Sequence, residues 1–223
     1  MTLKLSEYTP LLPGCCQLAA VSVAAFAPPE QAILAQFLPA AKTVLVLAHH
    51  VTASLEWAWF PFAAERLENT CAADLHAKAV LGKVAAHLEA RGFAAAVLPY
   101  PGRCGANFKY IAARTSLGAL GANYLFLHRE WGPWAHLRVL LTDAACPQTA
   151  APLETCDRCG ACVAACPAGA IKPESFAGSL CGEYLQARRQ EHGIDGAFLW
   201  KCEECARACP RGAQPSPVAI TAK

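Results

Sequence analysis

The 223-residue chain carries little charge: Asp, Glu, Lys and Arg make up 16% of it and sum to +2. Without a basic excess, electrostatics favour neither a polyanionic nucleic acid nor an anionic membrane as a partner. It also lacks a long apolar run. The longest uncharged one, Leu18 to Pro28, is too short for a bilayer and is closed by Pro28-Pro29. Leu12-Pro13-Gly14-Cys15 has the look of a lipoprotein cleavage box, yet MTLKLSEYTP ahead of it holds no apolar h-region, so we read it as a turn before a strand. Disorder is excluded by the 55% hydrophobic share, ample for the core of one large domain or of one medium and one small.

What the chain does have is thirteen cysteines. Cys156, Cys159, Cys162, Cys166 and Pro167 form the run C-x2-C-x2-C-x3-C-P, in which the first three thiolates wrap one 4Fe-4S cubane and the fourth crosses to a neighbouring cluster. A second run, Cys202, Cys205, Cys209 and Pro210, keeps C-x2-C-x3-C-P but has Leu199 where the leading cysteine belongs. Cys181 is the remaining cysteine between the runs and takes the vacancy. The crossover rule then gives one cluster on Cys156, Cys159, Cys162 and Cys209, and a second on Cys166, Cys181, Cys202 and Cys205. Paired four-cysteine zinc sites are the rival, but they are built from separated C-x2-C pairs rather than three evenly spaced cysteines ending in C-P. Eight reduced thiolates call for a low-potential compartment, hence the cytoplasm. Cys15, Cys16, Cys71, Cys104 and Cys146 fit no ligand spacing and are expected to be buried, inert thiols.

Along the chain, Leu18 to Phe26 reads as a buried strand and Glu30 to Phe37 as a short helix. Thr43 to Ala48 (TVLVLA) is apolar on both faces, as in a central strand covered by helices. His49-His50 ends it. Paired with no cysteine or carboxylate, these histidines are expected to be hydrogen-bonded structural groups. The aromatics Trp57, Trp59, Phe60 and Phe62 follow, as core or as the wall of a planar cofactor site. Asp74 to Arg91 is an amphipathic helix capped by Gly92. Asp74-x-His76 approaches the D-x-H-x-x-G box of cobalamin proteins, but Ala79 stands at its glycine and His76 sits on a helix.

Phe93 to Leu98 is a further strand, Pro99 to Ala106 a loop, and Phe108 to Arg114 a helical turn. Asn123 to His128 and Leu137 to Thr142 are strands. Ser116-Leu-Gly-Ala-Leu-Gly121 is a weak phosphate-loop pattern because its helix precedes it. Ala150-Ala151-Pro152 reads as the joint between an α/β domain of residues 1–149 and a ferredoxin-like module of residues 150–223.

The strand T-V-L-V-L-A, the segment A-A-R-T-S-L-G-A-L-G-A-N-Y-L-F-L, the stretch G-P-W-A-H-L-R-V-L-L-T-D and the two cysteine runs, in that order, resemble the epoxyqueuosine reductase family. Its members, like the related reductive dehalogenases, join a nitroreductase-like, cobalamin-binding domain to a two-cluster ferredoxin module. The resemblance implies the same α/β layered fold and agrees with the placement of Cys181. It implies a corrinoid pocket along Leu117-Gly118, Gly121-Ala122-Asn123 and Gly132-Pro133-Trp134, with Gly118 and Gly121 giving a macrocycle room against the backbone.

The departures bear on substrate. Family members active on tRNA carry a Val-Asp-Ser-Ala-Pro stretch whose aspartate is the proposed proton donor, and counting back from Ser116 reaches Gly102. The usual lysine after the second glycine is Ala122, and the C-terminal helical repeats that grip tRNA have no counterpart before Lys223. The expectation is an iron-sulfur oxidoreductase that relays single electrons to cobalamin for a small substrate, with Tyr110, Arg103, His49 and His50 as candidate proton donors. A ferredoxin- or flavodoxin-type protein would supply the electrons; neither tRNA nor a membrane is expected. A plain electron carrier and an activator that reduces a partner's corrinoid use the same clusters and stay open.

Overall fold

The computed structural model describes residues 2–57, 60–62, 68–99, 105–147, 154–191 and 202–216. After a 3-10 segment at Leu5–Leu11 come β1 (Cys16–Ser22), α1 (Pro28–Ala35), β2 (Thr43–His50), the short pair β3 (Phe60–Phe62) and β4 (Glu68–Thr70), and α2 (Ala72–Ala90). Then follow β5 (Ala95–Val97), α3 (Phe108–Ala112), the hairpin β6 (Gly118–Leu120) and β7 (Phe126–His128), and β8 (Ala135–Thr142). The cysteine-rich part holds α4 (Ala161–Ala165), α5 (Gly178–Glu191) and α6 (Glu204–Arg207).

One four-stranded sheet, in the order β1-β2-β8-β5, organises the body. Every neighbouring pair in it is antiparallel. β2 lies inside this sheet, and the two-sided burial of its apolar run follows from helices on both faces. Val44, Val46 and Ala48 meet Phe26, Leu34 of α1, and Phe108 and Ile111 of α3. Leu45 and Leu47 meet Ala77, Val80, Leu81 and Val84 of α2. At about 1.5–3 kcal/mol for each fully buried aliphatic side chain, this three-layer core is the main stabilising term of the body.

Local chemistry places the helix ends. Pro28 and Pro29 start α1, where a missing N–H costs no helical bond, and Glu30 reaches back to accept from the Ala27 N–H at 2.9 Å. α2 stops at Gly92, whose φ of +81° is the left-handed turn that glycine tolerates. The elements differ from the sequence reading mainly at their ends. The first strand begins at Cys16 and gives way at Val23–Ala25 to a 3-10 turn, capped by the Ser22 hydroxyl, before Phe26. The stretch from Asn123 turns at Tyr124, in the left-handed region at φ +58°, and reaches strand geometry only at Phe126. The expected joint at Ala150-Ala151-Pro152 lies outside the described residues. None of the described helices is long and apolar enough to cross a membrane.

Candidate metal centre and adjoining cavity

The fold sorts the cysteines into two groups. The thiol pKa of Cys162 is raised by burial and by its neighbours Cys156, Cys209 and Cys159. That of Cys209 is raised by burial and, among others, by Cys156 and Cys159. On the other side, burial pushes Cys205 up to about 12, with Cys202, Cys166 and Cys181 the next contributors and Cys162 after them. Cys202 is raised by burial and has Cys181 and Cys166 among its neighbours. Packed thiols of this kind resist ionisation one by one, and a bound metal cluster removes that cost by taking up the negative charge. Cys162 and Cys209 thus have Cys156 and Cys159 as neighbours, Cys202 and Cys205 have Cys166 and Cys181, and Cys162 beside Cys205 marks where the two sets approach each other.

Short helices hold both sets. Gly160, at φ +79°, turns the chain into α4 and thereby lifts Cys162 and Cys166 off the loop that carries Cys156 and Cys159. Cys181 sits in the first turn of α5, and Cys205 lies on α6. Backbone N–H groups point at two sulfurs: Ala122 at Cys156 (3.4 Å) and Ala170 at Cys166 (3.3 Å). Such bonds favour the more negative, reduced state of a cluster and raise its potential.

The turn between β6 and β7 anchors this module to the sheet domain. Beside the Ala122 contact, the Asn123 side chain donates to the Cys205 carbonyl at 3.5 Å, and the Thr155 hydroxyl donates to the Leu127 carbonyl at 3.2 Å. Ser54 Oγ donates to Glu203 at 2.7 Å, and Arg207 spans both. Ala206 packs with Val51, Trp57 and Trp134.

An open cavity of about 440 Å3 adjoins the first quartet, walled by Tyr110, Gly121, Ala122, Tyr124, Cys156 and Arg158 among others. Its size lies in the lower half of the roughly 300–1,000 Å3 that ligand pockets occupy, and one side is open. Of the residues expected around a corrinoid, Gly121 and Ala122 line it, Asn123 faces the cysteines, and Tyr110, 43% exposed, stands on its wall. The others are placed differently. Leu117 is buried in the core, and Trp134 is fully buried between Trp57 and the Arg207 guanidinium. A Cβ on Gly118 would run into the Leu127 carbonyl, so this glycine makes room for its own hairpin partner.

Gly132 and Gly212 form a second close approach, since a Cβ on the first would meet the Arg211 carbonyl and one on the second the Trp131 carbonyl. Both have positive φ, +58° and +75°. Buried Pro133 follows in the same turn. We expect Gly212→Ala to cost about 1–2 kcal/mol from backbone handedness alone and to push the tail off the Trp131–Gly132 turn. Iron release to a chelator should then be several-fold faster than in the parent, whereas Gly82→Ala, a solvent-side position on α2 with open space, should leave it unchanged. Equal release from Gly212→Ala and the parent would show that the glycine contact does not hold the module.

Of the remaining proton-donor candidates, His49 and His50 are not among the residues that line the cavity. His50 stacks on Trp131 at 4.9 Å between ring centroids, and His128 stacks on the same indole at 3.8 Å. Burial drives the His128 pKa down to about 4, and its Nδ1 accepts from the N–H groups of Glu130 and Trp131. His49 has the cysteine and carboxylate partners that its sequence neighbours lack: Cys16 at 3.6 Å and Glu56 at 3.1 Å. Burial holds it below the usual imidazole range although Glu56 opposes this. Cys15 is half-buried, and Cys16, Cys71 and Cys146 are buried. Arg103, Gly102 and Cys104 lie outside the described residues. Arg158, held at φ +52° between Cys156 and Cys159, and Tyr124 were not singled out from sequence. For Arg158 the signal was a cation inside a ligand run.

A 4Fe-4S dicluster domain model matches residues 155–213, so fold and motif define a ferredoxin-type iron-sulfur module docked on a mixed α/β domain. The chain is similar to epoxyqueuosine reductases, as its motifs suggested. That of Yersinia pestis is 32% identical over 107 residues, 45% of this chain and 26% of the relative. That of Escherichia coli is 31% identical over 107 residues, 45% of this chain and 28% of the relative. The chain thus matches about a quarter of the length of these curated relatives.

Among solved structures, epoxyqueuosine reductase from Streptococcus thermophilus superposes with a TM-score of 0.66 at 15% identity, over 97% of this chain and 67% of that one. An epoxyqueuosine reductase with an epoxyqueuosine-modified tRNA-Tyr stem loop gives 0.65 at 16%, over 92% and 63%. A catabolic reductive dehalogenase in complex with 3-bromo-4-hydroxybenzoic acid gives 0.58 at 14%, over 90% and 30%. At these identities the likeness is one of fold.

Proposed function

We propose that this chain is a cytoplasmic iron-sulfur reductase with a nitroreductase-like body, in which two 4Fe-4S clusters pass single electrons to a corrinoid in the cavity beside Cys156. The carrying observation is the two cysteine quartets, with a ligand of the first forming part of the cavity wall. Cys156, Cys159, Cys162 and Cys209 would hold the inner cluster, and Cys166, Cys181, Cys202 and Cys205 the outer one. The outer cluster would receive electrons from a ferredoxin- or flavodoxin-type partner. When bound, a corrinoid supplies low-valent cobalt as the reductant of a small substrate. Around it, the backbone at Gly121 and Ala122 would leave a flat face open to the macrocycle. The Arg158 guanidinium would attract an anionic substrate or cofactor group, and the Tyr110 hydroxyl would deliver a proton. The tRNA substrate named for one structural neighbour is not part of this proposal, because Gly102 occupies the place of the acid.

A second reading, a carrier or corrinoid-protein activator without substrate chemistry of its own, has one observation behind it: Gly118 and Gly132 are occupied by the chain's own backbone. Anaerobic purification with added cobalamin separates the two. We expect about eight iron and eight sulfide per chain, a broad absorbance near the violet edge that bleaches with dithionite, and about one corrinoid. Full clusters with no retained corrinoid would favour the carrier, and stoichiometric zinc with no bleaching would overturn both.

A further inference from the structure

Away from the eight cluster cysteines, three further metal-ligating side chains converge where β1 begins and β2 ends. Cys16 and His49 are direct partners in the antiparallel β1–β2 register, so their side chains stand side by side on one face of the sheet. Cys15, immediately before the strand, is fixed at the end of β2 by its carbonyl, which accepts from the His50 N–H at 2.7 Å. The two thiol sulfurs and an imidazole nitrogen all lie within 4.8 Å of one another.

The spacing suits a metal ion. Bonds of about 2.3 Å to sulfur and about 2.05 Å to nitrogen, opened to a tetrahedral angle, put the two donors about 3.6 Å apart. Cys16 Sγ and His49 Nδ1 are separated by 3.6 Å. A plain S–H···N hydrogen bond explains that one distance, but not why a second thiol joins it or why a carboxylate is built behind the ring.

That carboxylate is Glu56. Its Oε1 accepts from the Thr52 N–H (2.9 Å), the Thr52 hydroxyl (2.8 Å) and the Ala53 N–H (3.0 Å), which leaves Oε2 aimed at His49 Nε2 at 3.1 Å. A carboxylate only accepts, so the imidazole proton sits on Nε2 and the Nδ1 lone pair faces the thiols. A ligating histidine is commonly oriented in this way, through its far nitrogen.

We propose that Cys15, Cys16 and His49 bind one thiophilic d10 cation of the zinc class, with water in the fourth position on the half-exposed Cys15 side. On binding, each thiol gives its proton to solvent, and two metal–sulfur bonds and one metal–nitrogen bond form without a change of oxidation state. The ion ties the entry of β1 to the end of β2. Glu56 belongs to the segment Ser54–Trp57, and Ser54 bonds Glu203 and Arg207 beside Cys202 and Cys205, so the site also braces the surface on which the second cysteine run docks.

The test uses the full chain, cluster-loaded and kept anaerobic, incubated with zinc chloride and dialysed against a weak chelator. Zinc and iron are counted together, and the zinc K-edge absorption is analysed for ligands. We expect about one zinc per chain with two sulfur and two nitrogen or oxygen neighbours. Cys15→Ser and His49→Gln should each weaken zinc binding at least tenfold with iron unchanged, and Glu56→Gln should weaken it by about 10–100-fold without changing the first shell. Cys146→Ala, which removes another buried thiol, should keep full zinc. No retained zinc, zinc uptake indifferent to Cys15→Ser and His49→Gln, or a four-sulfur shell gained as iron is lost would each overturn the proposal. Because Cys15 is half-exposed, its serine variant is not expected to disturb folding, and its iron count verifies this.

Discussion

Cys181→Ala is expected to drop the iron content from about eight to about four per chain, or to about seven if a three-iron cluster survives. The proposed clusters place Cys181 in the vacant corner of the second quartet, and the structure sets it in the first turn of α5 with Cys166 beside it. Burial and Cys166 both raise its thiol pKa, so without metal the group is a protonated, partly buried thiol with little to stabilise it there. Iron and sulfide counts, with EPR of the dithionite-reduced protein, read the result: one reduced cluster signal should persist and the coupling between clusters should vanish. Cys71→Ala, which changes a buried cysteine outside both quartets, should retain all the iron. If Cys181→Ala keeps the parent's iron content and EPR spectrum, the fourth ligand is another residue and the assignment of both quartets has to be redone.

How much of this was legible in advance depended on how locally each feature is encoded. Cysteines with two residues between them ligate irons of one cluster and the cysteine before the proline crosses to the other, so both proposed quartets could be counted from spacing. TVLVLA announced a strand covered on both sides because its alternation is absent, and Gly92 marked the end of α2 because only a left-handed residue closes it there. Spacing says nothing about which strands pair. Cys16 and His49 are 33 residues apart and meet only through the β1–β2 register, so the sequence left both as inert or structural. Gly118 looked like a clearance for a cofactor, whereas the atom it clears is the Leu127 carbonyl, and Gly132, expected along the same pocket, clears Arg211. A glycine reports that something comes close, and only the fold says what.

Asp74 shows the same limit, and it carries a large stability effect. In sequence it pairs with His76 as part of an incomplete box; in the fold its partners come from β8. His136 Nε2 donates to Asp74 Oδ1 at 2.9 Å, and Arg138 Nε lies 3.6 Å from the same oxygen. All three are buried, Arg138 to 3% exposure, and its Nε and Nη1 have no hydrogen-bond partner among the described residues. Asp74 is therefore the counter-charge of a buried guanidinium, and its removal leaves that charge uncompensated. We expect Asp74→Asn to destabilise the cluster-loaded protein by about 3–5 kcal/mol, a large part of the roughly 5–15 kcal/mol that holds a typical domain together. Replacing both groups, as in Asp74→Asn with Arg138→Met, should recover most of the loss, because an apolar side chain in that place needs no partner. Burial alone would raise the Asp74 pKa, but the His136 hydrogen bond and the Arg138 charge outweigh it and hold the carboxyl below its usual range. A carboxyl depressed in the folded state stabilises fully above its unfolded pKa of about 3.9 and loses that contribution as the pH falls through the lower folded value. The parent and Asp74→Asn should thus differ by a constant amount from pH 5 upward and converge only in stronger acid. Anaerobic urea titrations at pH 7 and pH 5, with the slopes checked for equality, measure both quantities. A difference under about 0.5 kcal/mol at pH 7, or a double variant no better than the single one, would mean that Arg138 is satisfied without Asp74.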